Sequence, residues 1–222
     1  MKATTLVAVA LAWVAAAAAS VSALDGTLVY ADGDVMVGRG AAERQASMGM
    51  TLGEGDVVRT GDNSVAVISV GGEAEIKLRA NTTLSLDSLS DRVAVSLSQG
   101  GAFSHVTRRT IRDYTLKAST AVAGVRGTEF FVAYGRTIDA QPDIWLCVNE
   151  GTVQVGLEGA ADTVLVEQGK GINIVGGTKL TRPKRYPWTR KLNWNTNAGA
   201  GVVRDRTNLE QAYSDLLDQD YD

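Results

Sequence analysis

The 222-residue chain holds one histidine, His105, one cysteine, Cys147, and three prolines. So few nitrogen and sulfur ligands exclude a Cys₄ or Cys₂His₂ zinc site, a His₃ catalytic zinc, an iron–sulfur cluster and an internal disulfide framework. A Ser-His-Asp or Cys-His mechanism would have to use His105, which stands in Phe103-Ser104-His105-Val106 with no partner pattern around it. Charge is balanced, with 22 Lys and Arg against 25 Asp and Glu, and 45% of residues are apolar. That composition suits one domain with a real core and excludes a highly charged disordered chain.

Long apolar runs are scarce as well. The stretch from Leu6 to Ala19 is preceded by Lys2 and followed by the small-residue site Val21-Ser22-Ala23. It falls short of the roughly 20 residues a membrane helix needs and reads as a secretory signal peptide, residues 1–23. An uncleaved anchor extended through Ser20–Leu24 is the other reading. The mature chain is expected to begin at Leu24 and to reside in the periplasm or otherwise outside the cytoplasm. No cysteine follows the run to carry a lipid, and Cys147, within Ile144-Trp145-Leu146-Cys147-Val148, is expected to be a buried, inert thiol.

From Leu24 to about Val175 the pattern is one short strand after another. Ala74, Ile76 and Leu78 alternate with Glu73, Glu75 and Lys77; Leu84 and Leu86 with Thr83 and Ser85; Val93, Val95 and Leu97 with Ala94, Ser96 and Ser98. Period-two alternation places one set in a core and the other, charged residues included, in solvent. Gly61-Asp62-Asn63, Gly71-Gly72, Gly100-Gly101, Gly151 and Gly169-Lys170-Gly171 read as turns between strands, because glycine and asparagine tolerate the backbone angles of tight turns. A phosphate-binding glycine loop is not indicated, since no helix or Walker lysine follows. The expected fold is all-β, a solenoid-like, roll or sandwich arrangement over 24–180, with a short C-terminal amphipathic helix.

Three segments are recognisable: Leu52-Gly53-Glu54-Gly55-Asp56-Val57-Val58-Arg59-Thr60-Gly61, the hexapeptide Val125-Arg126-Gly127-Thr128-Glu129-Phe130, and Val148-Asn149-Glu150-Gly151-Thr152-Val153-Gln154-Val155. Together they resemble the FecR-domain family over about Asp34 to Val175. The resemblance implies a periplasmic, β-rich, solenoid-like domain that works by protein contact. In the family's best-known members it lies between an outer-membrane transporter and a sigma-factor pathway. Those members have a cytoplasmic segment and a membrane helix ahead of the domain, whereas here only a signal peptide is expected ahead of it. A free-standing envelope module is therefore expected, non-catalytic and binding or scaffolding in role. The alternative is a signal-transduction component that relays to a membrane-embedded regulator.

Arg126, Gly127, Thr128, Glu129 and Phe130 have a structural reading and a partner-binding one. Gly127 permits a bulge, Phe130 or Phe131 enters the core, and Arg126 with Glu129 supplies either an internal charge pair or part of a partner surface. Residues 181–204 form a basic, aromatic connector. Between Gln168 and Arg204 there are eight Lys or Arg and no Asp or Glu, while the mature chain has a net charge of −4. Arg182, Lys184, Arg185, Tyr186, Trp188, Arg190 and Lys191 could contact anionic lipid or cell-wall polymer, though not nucleic acid in an exported protein. Otherwise the prolines hold an extended connector whose tryptophans cover an exposed core edge.

In 205–222, Thr207 to Glu210 fits a capping box, and Leu209, Ala212, Tyr213, Leu216 and Leu217 share a face. That helix is expected to cap an open end of the β-domain or to lie on a partner. The acidic end, from Asp215 to Asp222, reads as a solvated tail. Asp32 with Asp34, or Glu73 with Glu75, are the carboxylate pairs a glycosidase would need, but strand carboxylates usually face water. No cofactor or metal is called for, and an enzyme is not expected.

Overall fold

The computed structural model describes residues 24–107, 110–125, 127–138 and 141–212, with 136–138, 141 and 142 in backbone only. The strands are β1 (Gly26–Asp32), β2 (Val35–Arg39), β3 (Ala42–Gln45), β4 (Thr51–Leu52), β5 (Val57–Thr60), β6 (Val65–Val70), β7 (Ala74–Leu78), β8 (Thr83–Leu89) and β9 (Arg92–Val106). They continue as β10 (Asp113–Ala118), β11 (Ala121–Val125), β12 (Glu129–Ile138), β13 (Gln141–Glu150), β14 (Thr152–Leu157), β15 (Thr163–Glu167), β16 (Gly171–Val175) and β17 (Lys179–Leu180). A short 3-10 turn, Pro187–Arg190, and a helical turn at 209–212 follow. The fold is all-β, as the alternating pattern indicates.

All the strands belong to one open mixed sheet that folds into two layers. The first layer runs β4-β1-β6-β7-β9-β12-β13-β16-β17. The second runs β3-β2-β5-β8-β9-β10-β11-β14-β15. Among the described residues only β9 with β10 pairs parallel. Strand β9 belongs to both layers because it bends at Gly100-Gly101: Val93–Gln99 pair with β8, and Ala102–Val106 with β7. Gly100 has φ +86°, and a Cβ there would come within 2.4 Å of the Thr82 hydroxyl. Glycine alone permits the crossing.

The core lies between the layers. Leu28, Ile68, Ile76, Ala102, Phe130, Val132 and Leu146 of the first layer meet Val58, Leu84, Val95, Leu116, Ala123 and Val155 of the second. These are the inward positions that the alternation picks out.

The first layer is also buried on its outer side, where the sequence pattern suggests solvent. Phe103, Phe131, Ala133, Trp145 and Cys147 point outward there, beneath Tyr186, Trp188, Leu192 and Ala212. Phe103 meets Phe131 at 4.5 Å and stands edge-on to Trp194 at 5.2 Å, and Phe131 stands edge-on to Trp145 at 5.8 Å. Residues 186–212 thus form a strap across the layer, and the connector's aromatics cover core rather than reach outward.

Glu75, Lys77 and Arg79 lie under or beside this strap and Glu73 against Thr107, Thr110 and Ile111, contrary to the solvent-facing expectation. Lys77 is fully buried, donates from Nζ to the carbonyls of Asn193 and of Asn195 (2.8 Å), and sits 4.1 Å above the Phe103 ring. Glu75 accepts from the Thr196 hydroxyl, and Glu73 is buried while accepting from the Thr110 and Ile111 N–H groups. Arg79 pairs with buried Asp205 at 3.0 Å. Without these partners, buried charges would be strongly unfavourable.

The helical turn starts one residue later than the capping box implies. Asn208 Oδ1 accepts from the Gln211 N–H at 3.1 Å, while the Thr207 hydroxyl donates to Asp205. Leu209 and Ala212 pack on the outer aromatic cluster of the first layer. The helix therefore begins against a sheet face rather than over an open end. Tyr213, Leu216, Leu217 and the acidic tail lie outside the described residues.

Candidate protein-binding groove

The hexapeptide forms the corner where β11 in the second layer hands over to β12 in the first. Phe130 enters the core and stands edge-on to Tyr114, and Thr128 is buried, its carbonyl accepting from the Val106 N–H at 2.9 Å. Glu129 accepts from the Asn149 amide and lies 3.7 Å from His105 Nδ1. Gly151 of the neighbouring turn seats against this corner: it has φ +83°, and a Cβ would fall 2.8 Å from the Gly127 carbonyl. Two of the recognisable segments are thus one packed corner. Arg126 lies outside the described residues.

The connector residues separate by type. Tyr186 and Trp188 are buried, Lys191 lies 4.1 Å over the Trp188 ring, and Arg182, Arg185 and Arg190 are exposed. Lys184 is half-buried, and its backbone pairs with Gly171 beside the first layer. Its cations face outward while its aromatics are turned in. Cys147, wholly buried beneath the same strap, has its thiol raised to about 12 by burial.

A feature that the sequence reading missed lies at the opposite end of the sheet. There the two layers open into a groove of about 670 Å³, floored by Leu24, Leu52 and Leu89 and edged by Arg39, Arg44 and Glu54. Arg39 reaches across from β2 and donates twice to Asp56, at 2.6 and 2.8 Å, and Asp56 also accepts from the Gly53 N–H at 2.8 Å. Burial would raise the Asp56 carboxyl, but the bonds from Arg39 and Gly53 outweigh it and hold the group below its usual range. Asp56 is 2% exposed whereas Arg39 is 62% exposed, so a fixed guanidinium faces solvent along an apolar floor. Glu54 braces the other wall by accepting from the Leu89 N–H at 2.7 Å.

A concave apolar surface with a few fixed polar groups suits an extended peptide segment. Leu52-Gly53-Glu54-Gly55-Asp56 shows in the sequence as a turn; its clamp to Arg39, on another strand, does not.

Residues 56–154 match the family model for FecR protein, spanning β5 to the middle of β14. Over that stretch the chain is similar to FecR proteins. The matched region includes Asp56 of the groove and the whole hexapeptide corner, and the strap lies beyond it. No curated protein is similar enough to count as a match. Among solved structures, two crystal structures at 1.65 and 2.50 Å of a protein from Parabacteroides distasonis ATCC 8503, named "putative anti-sigma factor", are similar at 17% identity. Their TM-scores are 0.48 and 0.49, and the alignment covers 58% of this chain and 59% of theirs, less than two thirds of that protein's length.

Proposed function

We propose that this FecR-like chain is a non-catalytic protein-binding module of the cell envelope that takes part in signal transduction. The FecR match over 56–154 carries the reading. The groove supports it: Arg39, held by Asp56, and the neighbouring Arg44 stand with Asp25 and Glu54 around the apolar floor and suit an extended segment of a partner protein. Export by the segment 1–23, which lies outside the described residues, belongs to the same proposal.

The test is affinity purification of the chain from cross-linked envelopes, alongside Arg44→Glu. That substitution reverses an exposed groove charge and leaves the Arg39–Asp56 clamp intact. Recovery of a transporter or membrane-embedded regulator, reduced about tenfold by Arg44→Glu, is expected. Recovery of cell-wall or structural proteins alone would give the scaffolding role instead. Recovery that Arg44→Glu does not change would remove the groove from the binding site.

A further inference from the structure

An open two-layer sheet has four edges, and unpaired strand edges are generally blunted by shortness or by charge. In the first layer, edge strands β4 and β17 are two residues each. In the second, β3 is Ala-Glu-Arg-Gln, with Glu43 tied to Arg59 at 2.8 Å. Strand β15 differs, for it reads Thr-Val-Leu-Val-Glu, five residues with no charge before its last position, and its central Leu165 is 62% exposed.

The hydrogen-bond direction along β15 is fixed by its ladder with β14. Gln168 donates to the Gly151 carbonyl at 3.0 Å in continuation of the Thr152–Glu167 register. Alternate residues from Gln168 back, Val166 and Val164, therefore point their backbone groups at β14, and Glu167, Leu165 and Thr163 point theirs away from it. No strand pairs with that side among the described residues.

We propose that β15 pairs antiparallel with β15 of a second copy of this chain, about a two-fold axis at Leu165. The register that centres on Leu165 sets Thr163 opposite Glu167 and Leu165 opposite itself, so only outward-pointing residues meet. Each Leu165 N–H donates to the other copy's Leu165 carbonyl, and each Glu167 N–H to the other copy's Thr163 carbonyl. The Glu167 carbonyl already accepts from Lys170 N–H at 3.0 Å. On the outer side the two exposed leucines meet; on the core side half-buried Val164 meets the other copy's Val166. No like charges face each other across the axis. The result is an isologous dimer in which the second layers join into one sheet. This inference is independent of the proposed function.

Sedimentation equilibrium of the purified chain should show a reversible dimer. Leu165→Pro removes only an outward N–H, and proline is tolerated on an edge. It should give a monomer with an unchanged far-ultraviolet circular dichroism spectrum. Leu165→Lys, which keeps the N–H and sets two ammonium groups at the axis, should do the same if the proline variant loses its fold. Under oxidation Leu165→Cys should cross-link, since its Cα atoms would lie about 5.5 Å apart. Thr163→Cys, whose copies do not face each other, should not. A monomeric wild type, a dimer that survives both Leu165→Pro and Leu165→Lys, or cross-linking of Thr163→Cys as readily as Leu165→Cys would overturn the proposal. So would capture of a different protein's strand at β15 by an otherwise monomeric chain.

Discussion

The two outer faces of this sheet share a strand grammar and have opposite fates. On the first layer the outward positions carry Phe103, Phe131, Trp145 and Cys147, and residues 186–212 lie over them. On the second layer the row Ala94, Thr115, Gly124, Gln154 and Leu165 crosses five strands in register and lines a shallow open surface. Small and polar residues leave a strand soluble on that side, whereas a face of large aromatics must be covered. The side chain at the outward position thus distinguishes a face that is internal to the protein from one that remains available to partners.

The largest test of this contrast is removal of an aromatic from beneath the strap. Trp145 is fully buried between Phe131 and the connector. Trp145→Ala should therefore destabilise the fold by about 3–5 kcal/mol, the range for a buried large aromatic. Urea unfolding with an unchanged slope would measure it. A loss near zero would mean that the strap does not pack on this layer in solution.

Lys77 offers a second, smaller test because its burial is set by the strap. Burial lowers its ammonium to about 8, against the attraction of Asp205 and Glu129. Below pH 8 Lys77 is charged both folded and unfolded, and the penalty of burying the charge is fully present. Between pH 8 and the ordinary value of 10.5 the unfolded chain holds more protons than the folded one, so stability rises with pH. The slope reaches at most about 1.4 kcal/mol per pH unit. The buried Cys147 thiol acts oppositely above its ordinary 9.0, but it is common to wild type and variant. The stability of wild type relative to Lys77→Met should therefore climb from pH 8 to 10.5. A flat difference would place Lys77 in water.

What was legible in the sequence follows the same division. The inward set, Ala74, Ile76 and Leu78 among them, is plain from local alternation, since each residue's face is fixed by its neighbours in the strand. The run Val65–Val70 is buried on both faces, with Val65 and Val67 packed against Val203. The fate of Glu75 and Lys77 was not legible, because it depends on Asn193, Asn195 and Thr196, more than a hundred residues away. The connector's tryptophans could be read either as a covering or as a contact surface, and only the outward aromatics of β9, β12 and β13 decide between them. The groove was hidden similarly, since Asp56 shows as a turn residue until Arg39, at the end of the neighbouring strand of the layer, is laid across it.

The smallest expected effect lies on the open face. Gln154 is exposed, and its side-chain bond to the Thr163 hydroxyl, at 3.1 Å, is exposed as well. Threonine fits a pleated surface at least as well as glutamine. Gln154→Thr should therefore move stability by no more than about 0.5 kcal/mol, as surface substitutions generally do. The same urea unfolding that reports Trp145→Ala measures it. A loss of several kcal/mol would show that something covers the second layer as the strap covers the first, and the two faces would no longer differ in kind.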